Sequence, residues 1–164
     1  MRSLGILLAS SLVVVSLALA EEKAPAQRRV LTLELAERFL AAAKAKAQQQ
    51  GWAMSFAVVD PAGNLVALAR MDGARWLTAG VAQSKAFTAA TLRRTSAEVA
   101  ELAQKRPQLV ENIQNIAGRP LLLAGGGLPL IISGELLGGV GASGGTEEQD
   151  SECARAGLAA IGGE

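Results

Sequence analysis

Hydrophobic and polar positions follow two different periods along this chain, and the changes of period divide it into helices and strands. Apolar residues recur every three or four positions after Thr32, a suitable N-cap, which predicts a helix ending near Gln50 before Gly51. The next stretch, FAVVDPAGNLVALARMDGA over residues 56–74, has two apolar runs separated by the turn-forming residues 61–64. It predicts a β-hairpin with two mostly apolar faces, so we expect the hairpin near the centre of a sheet.

The second half of the chain predicts further helices and a second group of strands. Small residues predict a closely packed helix from about Leu77 to Arg93, with a stripe of alanines. Two capping-box patterns, starting at Thr95 and Thr146, predict the beginning of a third helix and of a final helix that ends near Ile161. Between these helices we expect one or two helical turns over residues 108–115 and three short apolar strands: Leu121–Ala124, Leu128–Ser133 and Leu136–Ser143.

The order of these elements predicts the fold class. Strands joined by tight turns pair antiparallel, and the helices occur in groups instead of between every two strands. We therefore expect an α+β fold, with an antiparallel sheet of about five strands and flanking helices. The hairpin strands should pair beside residues 136–143 at the centre of this sheet.

The first 20 residues have the pattern of a secretory signal peptide. Arg2 is followed by an uncharged apolar run, and Ala18-Leu19-Ala20 is the small-x-small pattern that signal peptidase requires. We expect cleavage after Ala20, a periplasmic or secreted protein, and no stable membrane insertion afterwards. Residues 21–30 would then be a polar tether and residues 31–162 a single domain.

Charge and composition exclude several classes of function. The chain has 16 basic and 15 acidic residues, and removal of Arg2 with the signal peptide leaves 15 of each, so nucleic acid is not an expected partner. The single cysteine, Cys153, excludes an internal disulfide. The chain contains no histidine, which excludes Ser-His-Asp and Cys-His catalysis, His-bound zinc and His-ligated haem iron.

Two groups of polar residues are candidates for a binding site. Arg70, Met71 and Asp72 follow the predicted hairpin, where a loop at a strand end could build a site. The alternative is an Arg–Asp pair that only stabilises the turn. Lys85 and Thr88 lie one turn apart on an otherwise apolar helix, and they mark either a solvent boundary or a ligand-facing patch.

Two further features have both a functional and a structural interpretation. The run GGVGASGG at residues 138–145 has few side chains, so either a flat ligand lies against it or it packs on the alanine-striped helix. It is not a P-loop, because no Gly-Lys-Ser/Thr follows. Cys153 lies on the apolar face of the final helix, either as a small core residue or as a thiolate that faces a cofactor.

Four motifs, in this order, resemble the GlcG/HbpS family, also described as the haem-degrading or DUF336 domain: VVDPAGNLVALARMDGA (58–74), KAFTAA (85–90), GGGLPLIISGELLGGVGASGG (125–145) and QDSECARAG (149–157). The resemblance extends over about residues 31–161. It implies a profilin-like fold, consistent with the predicted element order, and a homo-oligomer, since members form dimers and larger assemblies. Exported members bind haem and some degrade it.

The resemblance implies haem as the cofactor of this chain, and candidate residues follow from it. The candidate cofactor-binding residues are Arg70, Met71, Asp72, Lys85, Thr88 and Gly144. Without histidine, the iron would meet Thr88, Lys85, Met71, Cys153 or only water. The propionates would take their cations from Arg70, Arg75 and Lys85, and the porphyrin would lie against Val81 and residues 139–145.

Three functional hypotheses result. The first is an exported haem-binding protein that sequesters haem, with at most weak degradation; no catalytic residue is assigned, because Asp72 and Asp150 have no visible catalytic partner. The second is a site for a small organic acid of the glycolate type, held by Arg70, Lys85 and the backbone amides near Gly144-Gly145. The third is a structural oligomer in which the alanine- and glycine-rich surfaces are contacts between subunits.

Overall fold

The computed structural model describes residues 29–163, so the predicted signal peptide and most of the tether lie outside the described residues. Thr32 caps the first helix as predicted, since its side chain accepts a hydrogen bond from Leu35 N at 3.2 Å. The capping boxes at Thr95 and Thr146 are both formed. The elements in chain order are α1 (Leu33–Gln49), β1 (Ser55–Val59), β2 (Leu65–Arg70), α2 (Thr78–Leu92), α3 (Ser96–Lys105), α4 (Pro107–Ala117), β3 (Gly127–Ile132), β4 (Glu135–Ser143) and α5 (Glu147–Ala159).

The strands of the described residues form one four-stranded antiparallel sheet in the order β2-β1-β4-β3. This confirms the α+β fold and the pairing of β1 beside β4 at the centre. The expected number of about five strands is wrong, because residues 121–124 take side-chain partners instead of a neighbouring strand: Leu122 N donates to Thr88 Oγ1 at 2.8 Å, and Leu121 N donates to Gln114 Oε1 at 3.1 Å. The hairpin is central only through β1, since β2 pairs with β1 alone and forms an edge.

Helices α1 and α5 cover one face of the sheet and enclose the larger core. Phe56 and Val58 of β1 point into this core, whereas Ala57 and Val59 point to the opposite face, as the two-residue period of a strand requires. The fully buried members of the larger core include Ala36, Phe39, Ala43, Met54, Phe56, Val58, Leu130, Val140, Cys153 and Ala154.

Helix α2 covers the other face at a separation that only glycine allows. A Cβ atom on Gly141 would collide with the main-chain oxygen of Ala82, and one on Gly139 with that of Ala86. The glycine run and the alanine stripe are therefore the two sides of one contact within the chain. The interpretations of these surfaces as a seat for a flat ligand or as subunit contacts are wrong, because α2 occupies the space.

Helices α3 and α4 lie beside α2 and form a smaller, separate core. Phe87 packs there with Val110 and Leu121. The guanidinium of Arg119 lies 4.4 Å from the centroid of the Phe87 ring and donates to Gly63 O at 2.9 Å, so it connects this unit to the β1–β2 turn. Helix α4 is longer than the one or two turns expected. No helix within residues 29–163 has the length and apolar character needed to span a membrane.

Candidate functional site

Three strand ends meet at one end of the sheet and bring most of the candidate residues together. Ser55, at the start of β1, lies opposite Arg70, the last residue of β2, and opposite Ser143, the last residue of β4. The Ser55 hydroxyl also lies 2.7 Å from the Thr78 hydroxyl in the first turn of α2. The residues that follow these strands, including Met71 and Gly144, therefore lie at the same end.

The turn after β2 is stabilised by Arg70, but not through Asp72. Arg70 Nη1 donates to Ala74 O at 3.1 Å, and Met71 N donates to Met54 O at 2.9 Å. Arg70 and Asp72 form no ion pair within the described residues. The expected Arg–Asp pair is thus replaced by a contact between the guanidinium and a main-chain carbonyl, and the Asp72 side chain is exposed.

Met71 differs from the other sulfur-containing side chains of residues 29–163 in its access to solvent. Met54 and Cys153 are completely buried, whereas Met71 is half-buried and packs against the edge of the larger core. Burial raises the pKa of the Cys153 thiol to about 11, with smaller contributions from the negative charges of Glu152 and Asp150. Cys153 is therefore a protonated core residue, and Met71 is the sulfur that an external ligand can reach.

Lys85 and Asp150 form a buried ion pair at the same end of the sheet. Lys85 Nζ lies 2.6 Å from Asp150 Oδ2, and each side chain is 4% exposed. Asp150 Oδ1 accepts a further hydrogen bond from Gly145 N at 3.0 Å. Lys85 and the Gly145 amide were expected to hold a small organic acid. They bind the carboxylate of Asp150 instead.

Glycines before β3 make room for this ion pair. Gly126 has a φ of +107°, and a Cβ atom there would lie 2.6 Å from Asp150 Cβ and 3.1 Å from Lys85 Nζ. Gly125 N donates to the Glu147 carboxylate at 2.6 Å, and Gly127 N donates to Ser96 Oγ at 2.8 Å. Sequence reasoning did not identify Asp150 as the partner of Lys85, although a lysine among apolar helix positions is a signal that a buried counter-charge is required.

Thr88 and Gly144 also have structural partners. The Thr88 hydroxyl, with no exposed surface, donates to Ser84 O and accepts from Leu122 N, each at 2.8 Å. Gly144 has a φ of +144°, and a Cβ atom there would lie 2.7 Å from Ala53 O. Thr88 thus connects α2 to residues 121–124, and Gly144 allows β4 to end close to the start of β1.

Acidic and thiol side chains do not form a metal site in the described part of the chain. Among residues 29–163, no group of three or more Asp, Glu, Cys or His side chains is placed to hold a metal ion. The candidate residues with accessible side chains at this end of the sheet are therefore Arg70, Met71 and Asp72, followed by the exposed Arg75 and Trp76.

Comparison with known proteins gives consistent matches over nearly the whole described region. The family model for the haem-degrading, HbpS-like proteins matches residues 31–159. An uncharacterised 15.0 kDa protein from the dhaT-dhaS intergenic region of Citrobacter freundii is 36% identical over 124 residues, which cover 76% of this chain and 87% of that protein. Escherichia coli GlcG is 36% identical over 116 residues, which cover 70% of this chain and 81% of GlcG.

Solved structures agree with these matches. The Klebsiella pneumoniae protein ORFY superposes with a TM-score of 0.75 at 33% identity, covering 84% of this chain and 94% of ORFY. HbpS superposes with a TM-score of 0.73 at 34% identity, covering 83% and 93% of the two chains. A PduOC:haem complex superposes with a TM-score of 0.74 at 28% identity, covering 83% and 98%.

Proposed function

The chain belongs to the HbpS-like family, and on this basis we propose that it is an exported haem-binding protein that sequesters haem. The family model describes haem-degrading proteins, and the similar PduOC structure is a haem complex. The secretory pattern of residues 1–20 supports export to the periplasm or beyond. N-terminal sequencing of the exported protein should give Glu21 as the first residue, and an unprocessed cytoplasmic protein would contradict the proposal.

The solvent accessibility of the Met71 side chain is the observation that supports the proposed haem site. A methionine thioether is an established axial ligand of haem iron. Of the sulfur atoms in residues 29–163, only that of Met71 lies in a side chain that is not completely buried. Among the other ligand candidates, Lys85 is paired with Asp150, Thr88 is hydrogen-bonded on both sides, and Cys153 is enclosed in the core.

The residues around Met71 fit the remaining parts of a haem. Arg70 and Arg75 are exposed cations that can pair with propionates. Trp76 is 80% exposed and Leu77 55% exposed, so this loop presents an aromatic and an aliphatic surface to a porphyrin. When bound, haem supplies a redox-active iron; the chain's own residues supply one soft ligand, two cations and an open apolar surface.

This open site favours sequestration over turnover. Haem oxidation depends on a distal pocket that controls access to the iron. Because Trp76 and Leu77 are largely exposed, a ligand bound on this loop would also be open to solvent. We expect haem bound to the protein to keep its Soret absorbance in the presence of ascorbate. Rapid, protein-dependent loss of that band would contradict sequestration.

A hemin titration followed by absorbance tests the binding site. Met71→Leu removes the sulfur with little change of volume, and we expect it to change the Soret maximum and weaken binding by about tenfold. The matched control is Met54→Leu, in which a buried methionine is replaced and binding should be unchanged. Absence of saturable binding in the wild type would overturn the proposed function. Equal titrations of wild type and Met71→Leu would overturn only the assignment of the ligand.

We also propose that the protein forms a homo-oligomer through β2. This edge strand has the sequence LVALAR, with no charge before Arg70, and Leu65 and Leu68 are 46% and 38% exposed. Antiparallel pairing of two copies about a two-fold axis at Ala67 places Val66 opposite Leu68 and Leu65 opposite Ala69, so no like charges face each other. Strand pairing would cover the free hydrogen-bonding groups of the edge.

A further inference from the structure

An apolar groove lies along the outer edge of β3. Its lining residues are separated in sequence from the Met71 loop (residues 70–77) and belong to other elements. Its volume is about 560 Å³, within the range of small-molecule sites. The lining residues are Leu128, Pro129 and Ile131 of β3, Arg155, Leu158 and Ala159 of α5, and Thr95 and Gly163. Leu128 and Leu158 are buried in its floor, while Arg155 and Ala159 are exposed at its rim.

The groove is poorly suited to binding another β-strand. In the part of the chain that the structure describes, strand β3 pairs only with β4, so its outer edge has no strand partner there. Pro129 provides no N–H for a further strand, and the register shifts between Leu130 and Ile131. Proline and irregular register are features that prevent the addition of strands at sheet edges. The occupant favoured by this surface is therefore a small apolar ligand instead of a peptide strand or a second copy of β3.

Arg155 gives the groove a single charge. Among residues 29–163 it is the only charged residue that lines the groove, and it takes part in none of the ion pairs found there. The other polar side chain, Thr95, is already engaged, since its hydroxyl bonds both Glu98 N and the Glu98 carboxylate. Arg155, Leu158 and Ala159 share one face of α5 because they are spaced by three and four residues. A guanidinium beside an apolar surface is suited to a carboxylate with a hydrocarbon body.

We propose that this groove binds an apolar carboxylate of the medium-chain fatty acid class. The carboxylate pairs with Arg155, and the hydrocarbon chain lies along Leu128, Ile131 and Leu158. The β3 residues 128–131 extend over about 13 Å, a length that accommodates such a chain. This site is independent of the proposed haem site, because none of its lining residues belongs to the loop of residues 70–77.

Titration of the purified protein with decanoate, below its micelle concentration, tests the proposal by calorimetry and by amide chemical shifts. We expect saturable binding, with shifts confined to the amides of Thr95 and of residues 128, 130, 131 and 155–163. Arg155→Gln should weaken decanoate binding by about tenfold through loss of a charge-assisted contact, while uncharged decanol binds wild type and variant equally. Ala159→Glu adds a competing carboxylate one turn from Arg155 and should also weaken binding, whereas the exposed Ala41→Glu in α1 is the matched control.

Three results would overturn the proposal: no saturable decanoate binding, shifts that map elsewhere, or equal affinity of wild type and Arg155→Gln with both proteins folded.

Hemin is also an apolar carboxylate, so competition between hemin and decanoate provides a second test. If decanoate displaces hemin, and Arg155→Gln but not Met71→Leu weakens hemin binding, the groove takes its carboxylate from haem and the Met71 site is overturned. Hemin binding unaffected by Arg155→Gln supports two separate sites.

Discussion

Lys85 Nζ and Asp150 Oδ2 lie 2.6 Å apart, and both side chains are 4% exposed. Lys85 belongs to α2 and Asp150 to the first turn of α5, and these helices cover opposite faces of the sheet. The ion pair therefore joins the two helical layers around the end of the sheet. Asp150 also accepts a hydrogen bond from Gly145 N, so the buried Lys85 charge and this main-chain donor depend on the same carboxylate.

Removal of one partner of this pair should be strongly destabilising. Lys85→Met leaves the Asp150 charge buried without a cation, and we expect the free energy of unfolding to fall by about 3–5 kcal/mol in urea denaturation. Lys105→Met is the control, because Lys105 and its partner Glu101 are 75% and 69% exposed and lie 3.9 Å apart. That change should cost less than about 1 kcal/mol. Equal effects of the two variants would show that the buried pair has no special role in stability.

The contact between α2 and β4 predicts opposite effects for two glycine-to-alanine substitutions. In Gly141→Ala the new Cβ collides with the main-chain oxygen of Ala82, so the helix must move, and we expect a loss of about 2–3 kcal/mol. In Gly80→Ala, within α2, the new Cβ meets no atom within 4 Å beyond the adjacent residues and the backbone of its own helix, and the change should gain about 0.5–1 kcal/mol through helix propensity. Thermal melting of both variants measures the difference. A neutral Gly141→Ala would contradict the close packing of α2 on β4.

Asp60 predicts a pH dependence for the β1–β2 turn. Partial burial would raise the pKa of its carboxyl, but hydrogen bonds from the Asn64 side chain and from the amides of Asn64, Ala62 and Gly63 prevail and lower it below 3.8. The carboxylate therefore stabilises the fold above pH 3.8, and this contribution is lost as the pH falls through the lower folded pKa. We expect Asp60→Asn to melt at a lower temperature than wild type at pH 7. The difference should shrink below pH 4, and a pH-independent difference would contradict the ionic contribution.

The proposed interface at β2 can be tested by a pair of matched substitutions. Leu68→Lys places a charge on the edge strand and should shift the protein towards the monomer in size-exclusion chromatography with light scattering. Leu109→Lys is the control on α4, since Leu68 and Leu109 are 38% and 37% exposed. An assembly that persists in Leu68→Lys, or a wild type that is monomeric at every concentration, would reject this interface.

Local features of the fold could be predicted from the sequence because they depend on neighbouring residues. Thr32, Thr95 and Thr146 act as N-caps where they were expected, and the hairpin begins and ends within a few residues of its prediction. Residues 121–124 were misassigned because an apolar run of four does not reveal whether its amides will meet a strand or a side chain. The side-chain partners of their amides, Thr88 and Gln114, lie in α2 and α4.

The candidate site was only partly predictable for a related reason. The position of Arg70, Met71 and Asp72 at a strand end follows from the hairpin. The pairing of Lys85 with Asp150 does not, because the two residues are separated by 65 positions and meet only when α2 and α5 pack around the sheet. Sequence reasoning left open whether Lys85 faced solvent or a ligand, and a carboxylate within the chain was not considered.

The glycines of β4 impose a constraint on mutational libraries of this protein. The nearest atoms that a side chain at Gly139 or Gly141 would meet are main-chain oxygens of α2, so no substitution at Ala82 or Ala86 can make space. Loss of either glycine should therefore have no second-site suppressor on the facing helix. A random library selected for high stability would be enriched in glycine at both positions, even where the facing alanines are varied at the same time.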